Sequence, residues 1–312
     1  MKKSYIAIFT MILLGSYYTS NAQQDPQYTQ YMYNTQVVNP AYAGSRDALS
    51  IGALYRSQWV GLEGAPKTGT LAVHSPIGFG NVGLGFSLVR DEIGIVEETY
   101  ANIDFSYTIQ TSAEAKLAFG IKAGANLFNV DFAKLNIADP GDIFENNIDN
   151  KFKPQIGAGA YYYTNKFYAG LSVPNFIEST YFDEADIANA NVSVISRERL
   201  HYFFITGYVF DLSENVQFKP AVLTKLVTGS PLQVDASANF LFYEKFTLGA
   251  AYRWSAAVSA MVAFQVTDEL MLGFAYDRET TDLSKYTDGS YEVYLRFEIF
   301  KKKERILSPR FF

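Results

Sequence analysis

Residues 291–300 read Tyr-Glu-Val-Tyr-Leu-Arg-Phe-Glu-Ile-Phe. Tyr291, Val293, Leu295, Phe297 and Ile299 fall on one side of an extended chain, and Glu292, Arg296 and Glu298 on the other. A strand turns its side chains by half a turn per residue, so this segment has one face for an oily medium and one for water. Ten such residues match the length that a tilted strand needs to cross a bilayer. The rest of the chain has to supply the neighbours.

It supplies about fourteen strand-like segments, over residues 49–58, 67–75, 81–90, 97–109, 115–128, 152–163, 166–173, 199–212, 215–226, 231–242, 245–254, 257–266, 269–278 and 290–300. Alternation is clear where Val82, Leu84, Phe86 and Leu88 oppose Gly83, Gly85 and Ser87, and where Phe246, Leu248, Ala250 and Tyr252 oppose Thr247, Gly249 and Arg253. Connections after even-numbered segments are tight. Those after odd-numbered segments run longer, over 59–66, 91–96, 129–151, 174–198 and 279–289, with short exceptions at 227–230 and 255–256. Short periplasmic turns and longer outward loops are the habit of outer-membrane barrels. The fold class expected is all-β, a transmembrane antiparallel β-barrel with both termini in the periplasm and segment 290–300 closing on 49–58. A soluble sandwich or jelly roll also uses alternating strands, but it does not require the long-short rhythm.

The first residues read as an address. Lys2 and Lys3 precede an apolar run over 5–14, and Ser20-Asn21-Ala22 places small residues for cleavage after Ala22, the pattern of a Sec signal peptide. The run is too short for a spanning helix, and no later stretch reaches the roughly 18 apolar residues that one needs. The absence of cysteine excludes disulfides, thiolate metal sites and lipoprotein anchoring. Aromatics are 16% of the chain, with 25 Phe and 23 Tyr against 2 Trp, enough for girdles at two membrane interfaces. A net charge of −6 argues against a nucleic-acid partner. The domain plan expected is a signal peptide at 1–22, a periplasmic N-terminal segment and possible plug at 23–48, the barrel at 49–300 and a basic periplasmic tail at 301–312.

Candidate chemistry is sparse, and no catalytic, cofactor-binding or metal-binding residue is expected. Gly78-Phe79-Gly80-Asn81-Val82-Gly83 matches G-x-G-x-x-G formally, but a strand follows it where a dinucleotide site needs a helix, so it reads as a hairpin turn. The carboxylates Asp91-Glu92 and Glu97-Glu98 read as solvated loop charge. His74 and His201 assemble no triad and are expected at an interface or in the lumen. Asp139, Asp142, Glu145 and Asp149 cluster oxygens as calcium sites do, without the twelve-residue spacing. Charges inside strands, at Lys116, Lys122, Arg253, Arg296 and Glu298, are expected to face the lumen, because lipid penalises them.

Ahead of the first strand stand Asp25-Pro26-Gln27-Tyr28-Thr29-Gln30-Tyr31 and Asn39-Pro40-Ala41-Tyr42-Ala43-Gly44, followed by Arg56-Ser57-Gln58-Trp59 and Gly64-Ala65-Pro66. Here the chain resembles the PorP/SprF family of the Bacteroidetes type IX secretion system. The matching positions are Gln27, Tyr28, Asn39, Pro40, Ala41, Tyr42, Gly44, Arg56, Gln58, Trp59 and Pro66, in structural or partner-contact roles. Pro40 would exclude helix, Gly44 would permit a turn into the first strand, and Tyr31, Tyr33 and Tyr42 would line or plug the lumen. The resemblance implies a non-enzymatic outer-membrane barrel whose partners are secretion components and secreted adhesins. On this reading it supports adhesin export or attachment, or anchors the machinery. The alternative is a transport pore of fatty-acid-channel or porin type with the N-terminal segment as its plug.

Overall fold

The computed structural model describes residues 26–78, 80–134, 147–179 and 199–300. Every segment expected to be extended is a strand: β1 (Ala48–Ser57), β2 (Lys67–Ile77), β3 (Val82–Ile93), β4 (Val96–Gln110), β5 (Lys116–Val130), β6 (Ile148–Tyr163) and β7 (Phe167–Val173). The eighth, β8, comes in two pieces, His201–Tyr208 and Phe210–Ser213, and is followed by β9 (Val216–Val227), β10 (Gln233–Phe242) and β11 (Phe246–Arg253). The set ends with β12 (Ala257–Gln265), β13 (Leu270–Glu279) and β14 (Ser290–Phe300). Each pairs antiparallel with its sequence neighbours, and β1 pairs with β14 from Ala48 opposite Phe300 to Ser57 opposite Tyr291. The ring is therefore closed, and no edge is left to recruit another chain.

The alternation in the sequence decides which side is which. Ile103, Phe152, Ile121 and Leu171 are among the most exposed large apolar residues, while Arg56, Lys153, Lys219 and Glu292 are among the most buried side chains. A soluble protein has this the other way round. On β14, Tyr291, Val293, Leu295, Phe297 and Ile299 face out, and Glu292, Tyr294, Arg296 and Glu298 face in. Lipid completes the burial of the outward set. Aromatics concentrate towards the two rims, with Tyr55, Tyr252 and Trp254 near one, and Tyr107, Phe246 and Phe264 near the other. Ring contacts of 4.6 Å for Tyr208–Phe210 and 4.8 Å for Phe218–Phe240 join part of the second band. Among the described residues no helix is long and apolar enough to cross a membrane.

Three expectations are corrected. Segment 199–212 is interrupted at Val209, and β9 pairs with both pieces, with a register shift at Val216–Gln217. Past this irregularity residues 210–213 are all exposed. The connection expected over 91–96 shrinks to Gly94 and Ile95, because both flanking strands run on to Ile93 and Val96. Its carboxylates therefore sit on strands, where alternation separates them. Glu92 and Glu97 are exposed to Arg90, whereas Asp91 and Glu98 turn inward and are buried.

Candidate functional site in the barrel lumen

The ends of the barrel are named here by their connections. Residues 57–67 lie at the loop mouth, and residues 77–82 lie at the turn mouth. Between them the lumen holds residues 26–47, which run from the loop mouth to the turn mouth before turning into β1. Gln27 Nε2 donates to Gln233 Oε1 at 2.9 Å, where β10 leaves the loop mouth. Midway, Gln36 Nε2 reaches Asp104 Oδ2 at 3.0 Å and Lys122 Nζ donates to the Val37 carbonyl at 2.7 Å. Near the turn mouth, Ser106 Oγ donates to the Ala43 carbonyl at 2.6 Å and the Gly44 N–H donates to His74 Nδ1 at 3.1 Å. Contacts of this kind satisfy polar backbone groups of the strap inside the lumen, as a buried segment requires.

Its local shape follows from its residues. One helical turn, α1 (Thr35–Val38), stops because Asn39 is extended before a proline (φ −136°, ψ 106°) and Pro40 has no N–H to continue it. The two ends of the Asn39 amide then do different jobs. Oδ1 accepts from the Ala41 N–H at 3.0 Å, and Nδ2 donates to the Ala160 carbonyl of β6 at 3.1 Å. Pro40 begins a 3₁₀ turn to Tyr42, so the expectation that it excludes helix is corrected: it ends one helical turn and opens a tighter one. The Tyr42 ring meets His74 and Tyr161 edge-on at 5.5 and 5.4 Å. Tyr33 stacks on Tyr294 at 5.4 Å, and the Tyr294 hydroxyl donates to the Tyr33 carbonyl at 2.9 Å. The Tyr31 hydroxyl lies 3.1 Å from Ser237 Oγ, within hydrogen-bond reach.

Glycines in the wall make room for the strap. A Cβ on Gly120 would meet the backbone of Pro40 and Ala41, and one on Gly83 would meet the Ala43 carbonyl. Gly44 itself sits at φ +75°, which a glycine adopts without strain.

Charge fixes the strap at both mouths. At the loop mouth Arg56 Nη2 lies 2.6 Å from Asp277 Oδ2, and Nη1 lies 3.2 Å from Glu292 Oε2. Thr29 is woven between them. Its hydroxyl accepts from Arg56 Nη1 at 2.8 Å and donates to Asp277 at 2.6 Å, while the N–H groups of Thr29 and Gln30 donate to Glu292 at 2.9 and 2.8 Å. The side chains of Arg56, Asp277 and Glu292 are essentially sealed from solvent. At the turn mouth Glu298 binds Arg46 of the strap through two hydrogen bonds and also faces Arg296 Nε at 3.5 Å.

The eleven motif positions fall into two groups. Gln27, Tyr28, Asn39, Pro40, Ala41, Tyr42 and Gly44 lie on the strap, and Arg56 joins them from β1 through Thr29. Gln58, Trp59 and Pro66 shape the β1–β2 loop. The Gln58 N–H donates to the Pro66 carbonyl at 2.9 Å, and Trp59, at φ +47°, donates from Nε1 to Glu279 at 3.0 Å. A cavity of ≈370 Å³ opens beneath this loop, lined by Gln58, Glu63, Lys67 and Glu92.

Sequence reasoning missed Thr29, Asp277 and Glu292 as partners of Arg56, and Asp104 as the partner of Gln36. Alternation does flag Glu292 as inward, but only three-dimensional register brings it to Thr29. Lys122, Arg253, Arg296 and Glu298 are buried on the inner face, and Lys116 faces Asp47 at 4.0 Å. His74 and His201 are also buried there. Asp91 accepts from the Thr68 hydroxyl at 2.5 Å and Glu98 accepts from Asn126 at 2.8 Å, so neither is solvated loop charge. Asp139, Asp142 and Glu145 lie outside the described residues, as do the signal peptide, Phe79 and the tail 301–312. Among the described residues no group of His, Asp and Glu is placed to hold a metal.

Residues 20–297 match the family described as type IX secretion system membrane protein PorP/SprF. The chain belongs to this family. It is thus a secretion-system membrane barrel of the outer-membrane kind, from a family that is not one of enzymes. No curated protein matches it. Solved structures that align with it include the Acinetobacter baumannii outer membrane protein Omp33, at 11% identity and TM-score 0.47, covering 81% of this chain and 100% of that one. The CymD monoaromatic hydrocarbon channel aligns at 11% identity and TM-score 0.49, over 87% of this chain and 93% of that one. A Pseudomonas aeruginosa FadL homologue aligns at 11% identity and TM-score 0.43, over 90% and 96%.

Proposed function

We propose that this barrel is a non-conducting accessory of the type IX machinery that supports export or surface attachment of particular adhesins, or anchors the machinery, with the strap as a resident plug. The observation that carries the reading is the strap itself. It crosses the lumen from mouth to mouth, and hydrogen bonds tie it to the wall at the loop mouth, midway and at the turn mouth. A pore needs a continuous water path, and ionic clasps at both mouths oppose one. The short turns face the periplasm in this reading, where secretion components would dock, and the longer loops face outward towards the exported chain.

Deleting the protein tests the role. Surface display of a type IX adhesin should fall while uptake of small solutes stays unchanged. Unchanged display of every type IX cargo, together with lost uptake of one solute class, would reverse the assignment to a transport pore.

A further inference from the structure

The direction of the strap separates the first described residues, Pro26 and Gln27, from the end of β14. An even number of strands returns β14 to the rim at which β1 begins, which is why both termini are expected on one side. The strap breaks this symmetry. Pro26 lines a lumenal hollow with Val89, Tyr100, Pro174 and Asn175, the last two just past the end of β7 towards the loop mouth. Gln27 is held to Gln233 at the same mouth, and Thr29 to Arg56, Asp277 and Glu292 just below it. Arg46, seventeen positions further on from Thr29, is bound at the opposite mouth by Glu298, two residues before the end of β14.

We infer that the protein is threaded: the strap enters the lumen at the loop mouth and leaves it at the turn mouth, so Pro26 and Gln27 are presented at the membrane face opposite the end of β14. On the orientation proposed above, that face is the cell surface, and Gln27 lies there against Gln233, with Pro26 close to Asn175. That Gln27 and the end of β14 lie at opposite mouths rests on contacts and not on the orientation. The clasp at Arg56 then acts as a retaining knot. A strap running this way has to be in place when β1 and β14 close, or be drawn in through an open mouth, and the buried ion pairs hold it afterwards.

The chain lacks cysteine, so single thiols can be read without background. Pro26→Cys would be compared with Glu63→Cys at the loop mouth and Asn165→Cys in a turn, using a membrane-impermeant maleimide on intact and then lysed cells. Heat-modifiable migration would first confirm that each variant folds, with Gln27→Cys replacing Pro26→Cys if it does not. The expected result is that residue 26 reacts in whichever preparation exposes residue 63, and not with residue 165. Reaction of residue 26 together with residue 165 would overturn the threading. So would a thiol at residue 26 that reacts only after the barrel is unfolded, since it would not be presented at a mouth. Reaction of residue 165 on intact cells, with residue 63 silent until lysis, would overturn the orientation alone, and the threading would still be judged by which of the two residue 26 follows.

Discussion

At the loop mouth one guanidinium, Arg56, sits between two carboxylates, Asp277 and Glu292; at the turn mouth one carboxylate, Glu298, sits between two guanidiniums, Arg46 and Arg296. The strap touches both clusters, but it contributes different things to them. To the first it brings neutral donors, the Thr29 hydroxyl and the N–H groups of Thr29 and Gln30, which disperse an excess of negative charge. To the second it brings a full charge, Arg46, beside an Arg296 that already faces the carboxylate. The direct ion pairs at the loop mouth therefore run through one guanidinium, Arg56, whereas at the turn mouth two guanidiniums are paired with the same carboxylate.

The largest effect should come from Arg56→Ala. Two sealed carboxylates would lose the guanidinium that is ion-paired to both of them, and breaking a buried pair in this way costs about 3–5 kcal/mol. The unfolding midpoint in detergent would report it. A loss no greater than that of Arg46→Ala would break the asymmetry.

Arg46→Ala should be milder, at about 1.5–3 kcal/mol for lost charged hydrogen bonds, because Arg296 remains beside Glu298. The same unfolding assay measures it, and adding Arg296→Ala should bring the turn mouth closer to the loss seen with Arg56→Ala.

Gly120→Ala tests whether the wall between the clasps is fitted to the strap. The added methyl meets the Pro40 and Ala41 backbone, and forcing it in should cost about 1–3 kcal/mol. Gly69→Ala is the control, since a Cβ there meets nothing within 4 Å. Equal behaviour of the two variants in the unfolding assay would mean that the strap does not press on the wall.

The smallest effect should come from Arg90→Ala. Its partners Glu92 and Glu97 are exposed with it, and exposed ion pairs contribute below about 1 kcal/mol. A loss approaching that of Arg46→Ala would mean that burial is not what makes the two clasps matter.

The barrel was legible because its cause is local. Alternation along 291–300 and its thirteen predecessors is a statement about single strands, and lipid on one side enforces it everywhere. Even the closing pair, β1 with β14, follows from counting. The loop at 91–96 was misjudged because Asp91, Glu92, Glu97 and Glu98 looked like solvated charge, although in a barrel half of a strand's charges can point inward to partners such as Thr68 and Asn126.

The strap was legible only in part. Asn39, Pro40 and Gly44 announce their own backbone geometry, and the density of tyrosine suggested a lumenal role. Its direction was not visible, because it depends on contacts such as Gln27 with Gln233 and Thr29 with Glu292, which are separated by more than two hundred residues. Inward glycines such as Gly120 had no assigned purpose in the sequence for the same reason: what they accommodate is another part of the chain.

The central claim is that the lumen is filled, and planar-bilayer recording of the full-length mature protein tests it most directly. The filled lumen should give no steady ionic conductance above the bare membrane while the strap is clasped. A stable open-channel current from intact, correctly folded protein would contradict it.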